Sequence, residues 1–453
     1  MYLNKDVNRR QFLKRTTVAA LGSISFPYIV PASTLGEDGA IAPSNRITLG
    51  FIGTGGHGYR NLLRGFLSAS DTESEGEGGS SVQVIAVCDV DALKRKRARD
   101  RVEDHYANQQ TKGTFKGCMD YNDFRDLLAR DDIDAVVIAT PEHWHAIPVI
   151  QAAQAGKDIY CEKPLSYSIA EAGAMVNAVR CYGRVFQTGS QQRSDRNFRF
   201  ACELVRNGYI GEVKTVKIGI PGPPIECNLP GEPVPDYLDW DFWLGPAPWR
   251  PYSAGLASPI TGRPASTDWR YYREYSGGGL TNWGAHHFDI AQWGLGMDDT
   301  GPVEIIPPDG KDYKQLTYKY ANGIIMARIE SDETISSRFS GVLFIGTKGR
   351  VEVTRRYLRT WPENLINNQI GPNEIHLYES KNHYTDWLRC ILTRCKPICD
   401  VEIGCRSVTI GHLGNIAYQL ERPLKWDPKQ ELFVNDPDAN RLLSRPMRSP
   451  WHL

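Results

Sequence analysis

The 453-residue chain has no uninterrupted apolar run near the roughly 20 residues that a transmembrane helix needs, which excludes a multi-span membrane protein. It has no charge excess either. Its 53 Lys and Arg stand against 53 Asp and Glu, so no global basic field exists to draw in nucleic acid. None of its ten cysteines forms a C-x-x-C pair. Even the close group Cys390, Cys395, Cys399 and Cys405 lacks the paired spacing and adjacent histidines of a metal cluster, so the cysteines read as ordinary thiols and no metal is expected. The composition that remains is average, 41% hydrophobic and 23% charged, which excludes disorder, collagen and coiled coil for the body of the chain. A chain of this length buries a large core without disulfide or metal staples.

One segment breaks the charge balance. Residues 1–15 carry Lys5, Arg9, Arg10, Lys14 and Arg15 against the single acid Asp6. Asn8-Arg9-Arg10-Gln11-Phe12-Leu13-Lys14 resembles the twin-arginine export motif, and a weakly apolar stretch over 16–30 leads to Pro31, Ala32 and Ser33. Charged, apolar and small-residue regions in that order predict a signal peptide over 1–33. A Gly/Pro/Ala/Ser linker over 34–45 follows. The expectation is a periplasmic or otherwise exported protein whose first partner is the export machinery.

Residues 47–52 form a short apolar run that enters Gly53-Thr54-Gly55-Gly56-His57-Gly58, and helical spacing follows, with Leu62, Leu63, Phe66 and Leu67 on one side. This is a strand, a G-x-G-x-x-G turn and a helix. In such a turn the glycines permit the sharp bend, the approach of a pyrophosphate and close helix–strand packing, while the helix N-terminus faces the phosphates. A second apolar run over 82–88 ends at Asp89, a carboxylate suited to ribose hydroxyls and hostile to a 2′-phosphate, so NAD is expected rather than NADP. A Ser/Gly/Glu tract over 68–81 lengthens the usual spacing to that acid and reads as a surface loop. Further strands are expected at 134–140 and 158–161, with helices at 93–105, 120–128 and 144–155. Alternating strands and helices predict a doubly wound parallel sheet over 46–190, which binds ligands at its C-terminal strand ends. Thr140-Pro141-Glu142-His143 and Glu162-Lys163-Pro164 fall at two such ends.

Thr140-Pro141-Glu142-His143-Trp144-His145, then Glu162-Lys163-Pro164, with Gly277-Gly278-Gly279-Leu280-Thr281-Asn282-Trp283-Gly284-Ala285-His286-His287-Phe288-Asp289 further on, strongly resembles the Gfo/Idh/MocA oxidoreductases, and Leu238-Asp239-Trp240-Asp241-Phe242-Trp243-Leu244-Gly245-Pro246 resembles a secreted bacterial subgroup within them. The resemblance implies a Rossmann domain followed by an α+β domain over 191–430 with an open, mostly antiparallel sheet, and then a tail over 431–453. It implies tightly bound NAD, contacted by Gly53, Thr54, Gly55, Gly56, His57, Gly58, Asp89, Thr140, Pro141, His143, His145, Glu162 and Lys163. It implies Lys163 and His286 as catalytic residues. Lys163 can hold a developing alkoxide or relay its proton, and the usual pKa of an imidazole suits His286 to taking an alcohol proton. Where inositol-dehydrogenase-like members carry an Asp, this chain has Asn282, which can hold a substrate but not take its proton.

Arg193, Trp269, Asn282, His286 and His287 are the expected substrate contacts, and Asp289 is expected either to orient His286 or to cap packing. Ten aromatic residues between Tyr237 and Tyr275 suit the C–H faces of a sugar, with packing as the plainer explanation. Strands of the second domain are expected near 213–220, 315–318, 323–331, 341–345 and 351–354, and helices at 383–395 and 407–420. An exposed sheet face needs covering, so a homo-oligomer, dimer or tetramer, is expected. The leading function is NAD-dependent oxidation of a ring hydroxyl of a sugar or glycoside, at carbon 3 by preference. A glycoside hydrolase that oxidises, eliminates, hydrates and re-reduces is the alternative, and a non-catalytic binder is a third class.

Overall fold

The computed structural model describes residues 46–71, 81–111, 114–257, 268–329 and 340–453. The expected signal peptide, the linker and most of the Ser/Gly/Glu tract lie outside these residues. The first sheet comprises β1 (Arg46–Ile52), β2 (Ser81–Cys88), β3 (Met119–Tyr121), β4 (Ala135–Ile138), β5 (Asp158–Cys161) and β6 (Phe186–Thr188), in the order β3-β2-β1-β4-β5-β6. Pairs β1–β4, β4–β5, β5–β6 and β2–β3 are parallel. Strand order reverses between β1 and β4, which opens the crevice where dinucleotides bind. The four residues of β4, Ala-Val-Val-Ile, are all buried, as a central parallel strand requires.

The helix expected over 120–128 is corrected. Its first part is β3, which finds an edge partner in Ala86, Val87 and Cys88 of β2. The helix starts at Phe124, because the Asp123 side chain caps it by accepting from the Arg125 N–H.

The second sheet has nine strands in the order β13-β12-β11-β7-β10-β9-β8-β14-β15. These are β7 (Val213–Gly219), β8 (Glu304–Ile306), β9 (Thr317–Lys319), β10 (Ile325–Ile329), β11 (Gly341–Gly346), β12 (Arg350–Thr354), β13 (Leu358–Trp361), β14 (Leu424–Asp427) and β15 (Leu432–Phe433). Its β7–β10 pair is parallel and the other described pairs are antiparallel. Apolar residues of helices Arg196–Arg206, Gly284–Leu295 and Val401–Leu420 join this sheet in one core that includes Phe288, Tyr318 and Phe344.

The two domains interlock. Trp387, Leu388 and Ile391 of helix His383–Thr393 belong to the core of the first sheet, where Trp387 meets Phe66 and Tyr160 edge-on. The tail over 431–453 is also structured. Its β15 pairs with β14, and the last residues return to the first domain. Arg445 binds Glu171 at 2.7 Å and the His143 carbonyl oxygen at 2.6 Å, while Trp451 stacks on Phe242 and meets Trp144 edge-on. The C-terminus therefore braces the loop that follows β4.

Candidate active site

β1 ends at Ile52 and the chain turns at Gly53, whose φ is +90°. A Cβ there would lie 2.7 Å from backbone atoms of Ala139 and Thr140, so the turn accepts glycine alone. Gly58 is closed in the same way, since its Cβ would lie 2.3 Å from the Gly53 carbonyl oxygen. Gly55 and Gly56 are the opposite case, with nothing within 4 Å of an added Cβ. The turn is thus tight against the sheet and bare on its outer side, which fits the approach of a pyrophosphate.

Thr54 donates to Asp89 Oδ2 from its N–H at 2.7 Å and its hydroxyl at 3.2 Å, and the Asp91 N–H donates to Oδ1 at 3.0 Å. Burial pushes the Asp89 carboxyl up, against the pull of Lys94 and these donors. Oδ1 keeps a lone pair for a ribose hydroxyl. NAD is therefore expected to bind more tightly than NADP, with the gap narrowed in Asp89→Asn. Calorimetry with both nucleotides checks this, and tighter NADP binding by the unmodified protein would contradict it.

The loop after β4 approaches this turn. The Thr140 hydroxyl is buried without a partner, an orphaned polar group beside the glycine turn that a bound nucleotide can satisfy. Pro141 follows it, at the start of the short 3₁₀ turn Glu142–Trp144. The His145 ring lies between the carbonyl oxygens of Pro164, 2.8 Å from Nδ1, and Thr140, 2.9 Å from Nε2, and so joins the two strand-end loops. His143 is buried against Trp243 and Tyr275, with Nε2 3.0 Å from the Trp243 carbonyl oxygen. Burial takes its pKa down to about 3. These packing and backbone contacts hold both rings in the loop, His145 by both nitrogens and His143 by Nε2, with His143 Nδ1 buried and without a partner.

Glu162 and Lys163 end β5. Glu162 Oε1 lies 3.1 Å from His57 Nε2, and Oε2 accepts from the Lys163 N–H at 3.1 Å. Because Asn61 donates to His57 Nδ1 at 2.8 Å, the ring hydrogen belongs on Nε2. Burial pushes the Glu162 carboxyl up, but His57 and Lys163 outweigh it and hold it below the usual range. The Lys163–Pro164 peptide is cis. Lys163 Nζ donates to both the backbone oxygen and Oδ1 of Asn282, each at 3.2 Å. This contact crosses from the first sheet to the second domain. Burial lowers the pKa of the amine, while Glu162 and Glu142 oppose the shift.

The helix expected around His286 is two segments, Gly278–Asn282 and Gly284–Leu295, joined at Trp283, whose backbone stays right-handed. The His286 side chain makes no hydrogen bond, and its Nδ1 is buried without a partner. Burial first, then Lys163, Arg355 and His287, holds its pKa well below the usual value, so the ring is neutral at physiological pH. His287 Nδ1 lies 3.1 Å from the Gly219 carbonyl oxygen at the end of β7, and burial takes its pKa down to about 4.

Arg193 is not at the cleft as a substrate contact. It is 1% exposed, and its guanidinium is enclosed by Asp289 (2.8 and 2.9 Å) and Asp298 (2.7 and 2.8 Å). Asp289 is consequently committed to Arg193 and Ser407, not to His286. Packing also explains most of the aromatic density: Trp240, Trp243, Tyr252, Tyr272 and Tyr275 form a core of their own. Trp269 is half-buried against that core, with the Arg270 guanidinium 5.1 Å from its ring centroid.

Two residues outside the sequence-derived set bear on the site. Glu142 is buried and accepts from the Ser276 hydroxyl at 2.9 Å, the Gly277 N–H at 3.3 Å and the Asn282 amide at 3.4 Å. Burial pushes its carboxyl up to about 7 despite these donors and Lys163. Asn282 thereby links the Lys163 ammonium to a carboxyl group. Arg355, from the hairpin between β12 and β13, lies over Trp283 with its guanidinium carbon 5.0 Å from the ring centroid. Glu142 was visible inside its motif but had no assigned work. Nothing in the sequence around Arg355 singles it out.

Fold and site together define an NAD-binding oxidoreductase. The model of the oxidoreductase family's NAD-binding Rossmann fold matches residues 47–190, and that of its C-terminal alpha/beta domain matches 225–453. The chain belongs to the Gfo/Idh/MocA family. It is 28% identical to the uncharacterized oxidoreductase YrbE of Bacillus subtilis, over 50% of this chain and 57% of that protein. It is 28% identical to a glycosyl hydrolase family 109 protein of Shewanella baltica, over 46% of this chain and 44% of that protein. The chain thus spans about half the length of these curated relatives. A solved levoglucosan dehydrogenase, in complex with NADH and levoglucosan, shares the fold at a TM-score of 0.56 and 18% identity, over 84% of this chain and 99% of that one. The aldose–aldose oxidoreductase of Caulobacter crescentus does so at 0.53 and 20%, over 84% and 99%.

Proposed function

We propose that the protein oxidises a ring hydroxyl of a sugar or glycoside, with carbon 3 as the favoured position. The observation that carries this reading is the meeting of Lys163 with Asn282 at 3.2 Å, beside His286 and at the strand ends that flank the glycine turn. NAD, held by residues 53–58 and Asp89, supplies the hydride acceptor. The alcohol must also lose a proton. Lys163 is placed to hold the developing alkoxide and to take that proton, because burial makes its amine easier to deprotonate. His286, neutral and with no hydrogen bond of its own, is free to accept from a substrate hydroxyl. His287 is anchored on Gly219, so His286→Ala is expected to cost more kcat/KM than His287→Ala. The reverse order would exchange their roles.

Glu142 extends the path. The amide of Asn282 carries no proton away, but Glu142 behind it titrates near neutrality. Above about 7 the charged Glu142 carboxylate favours a positive Lys163 through its field, the form that holds the developing alkoxide. Below that pH it is protonated and this support for the Lys163 cation is lost. Turnover is expected to rise with pH through about 7, and Glu142→Gln to flatten that limb. An unchanged profile in the variant would remove Glu142 from the path.

The activities for which levoglucosan dehydrogenase and aldose–aldose oxidoreductase are named support a carbohydrate substrate. The relative named as a family 109 glycosyl hydrolase, and a 2,7-anhydro-N-acetylneuraminate hydratase of Mediterraneibacter gnavus that is 35% identical over 23% of this chain, favour a second reading. In it the sugar is oxidised transiently and hydrolysed without net redox change. Mass spectrometry of a glycoside panel separates the two: a ketone supports net oxidation, and a released sugar with no change in oxidation state supports hydrolysis. We also propose that the protein is exported through the twin-arginine route as a homo-oligomer, with NAD enclosed. Periplasmic protein that emerges from gel filtration without nucleotide would contradict the enclosure.

A further inference from the structure

We infer that the sugar carries a carboxylate and that Arg355 receives it; the inference rests on the sugar-oxidising reading of this site. Arg355 follows β12, in a turn that is held firmly. The Thr354 hydroxyl oxygen accepts from the N–H groups of Arg356 and Tyr357, each at 3.1 Å, and the Thr354 N–H donates to the Tyr357 carbonyl oxygen at 2.9 Å. The arginine side chain lies across Trp283, the residue that joins the two helical segments carrying Asn282 and His286. Gln192 fixes it from the other side. With its amide nitrogen donating to the His286 carbonyl oxygen at 3.2 Å, its amide oxygen accepts from Arg355 Nε at 3.0 Å. The guanidinium is close enough for its charge to act on Lys163, His286 and His287.

The outer edge of this guanidinium has no partner. Other arginines around the two domains are neutralised, Arg193 by Asp289 and Asp298, Arg270 by Asp268 and Arg445 by Glu171, whereas Arg355, like the exposed Arg356 beside it, is not. Arg355 has no ion pair among the described residues, and its two terminal nitrogens make no hydrogen bond. The nearby acids are already committed. Glu162, whose charge reaches Arg355, accepts from His57 and the Lys163 N–H, and Glu142 accepts from Ser276, Gly277 and Asn282. The rim of the site therefore carries an exposed cation that is stacked on Trp283 and held at its Nε, with its two terminal nitrogens left to a ligand. A planar carboxylate matches that fork with two hydrogen bonds. The pyrophosphate of NAD is provided for at Gly55 and Gly56 on the first domain, so Arg355 is left for the substrate. The class that fits is a hexuronate or its glycoside.

The test is calorimetric binding to the NAD-loaded protein, with methyl glycosides of glucose, galactose and mannose set against the matching uronates and 6-phosphates. A charged hydrogen-bonded pair predicts that at least one uronate binds about tenfold or more tighter than its neutral sugar. Arg355→Gln is expected to remove that advantage, and Arg355→Lys to restore part of it as a point charge. Circular dichroism and NAD affinity of the variants confirm that they fold. Equal binding of uronates and neutral sugars, a preference that survives Arg355→Gln, or tighter binding of the 6-phosphates would each overturn the inference. The oxidation itself is read separately. Turnover of neutral sugars with no uronate preference leaves the sugar-oxidising reading standing and sinks the carboxylate. Arg355-dependent uronate binding without oxidation of any sugar does the reverse.

Discussion

Lys163→Ala is expected to retain bound NAD and to lose about 100–10,000-fold in turnover, the range for removing a positioned acid or base. The retention follows from where the nucleotide contacts lie. The glycine turn, Asp89 and Thr140 hold their places through backbone and side-chain contacts that the Lys163 side chain does not share. What the variant loses is the buried amine, which binds Asn282 and sits in the fields of Glu162 and Glu142. Without it the developing alkoxide has no cation, and the buried carboxyl of Glu142 keeps its proton. Single-turnover reduction of bound NAD, followed at the absorbance of NADH, reads the chemical step alone. A rate within a few-fold of the unmodified protein would remove Lys163 from the chemistry.

Arg193→Ala is expected to act on stability. Removing one partner of a buried ion pair typically costs about 3–5 kcal/mol, because the other charge is left uncompensated. Here the group left behind is Asp289, fully buried, whose carboxyl is already pushed up by desolvation and pulled back first by Arg193. Arg193→Met with Asp289→Leu removes both charges and is expected to recover part of the loss. Thermal unfolding of the three proteins checks this. A single variant with unchanged Tm and a raised KM would return Arg193 to the substrate.

The first domain was legible in the sequence because each of its signals is local. A strand, a glycine turn and a helix are contiguous, and the interior strands are short apolar runs whose limits turn residues mark. The glycines of the turn divide in the structure as their chemistry requires, Gly53 and Gly58 closed, Gly55 and Gly56 open. Lys163 and Asn282 were legible as motif residues, though their contact spans 119 positions and is set by how the domains meet. What failed was the reading of polar side chains whose partners are remote. Arg193 was expected at the cleft because it follows a strand end, but Asp289 and Asp298, about a hundred positions away, take it inward. The hold of the Trp243 carbonyl on His143, a hundred positions away, was equally hidden. β3 was hidden in a helical reading, since an edge strand of three residues has no periodicity of its own. Arg355 was invisible for the same reason in reverse: its significance lies in Trp283 and Gln192, far away in the chain.

The central claim is that hydride leaves a sugar carbon in this site, and isotope transfer tests it most directly. Uronates and neutral glycosides deuterated at the ring carbons are mixed with the NAD-loaded protein, and the reaction is quenched in cold alkali, in which reduced nicotinamide survives, within one turnover. The nucleotide is then released and weighed by mass spectrometry. The account predicts reduced nucleotide carrying one deuterium from at least one of these sugars, and none in Lys163→Ala. The same label appears whether the sugar is finally oxidised or hydrolysed, since both begin with this transfer. Nucleotide that acquires no deuterium from any of them, in protein shown to bind both NAD and sugar, would contradict it.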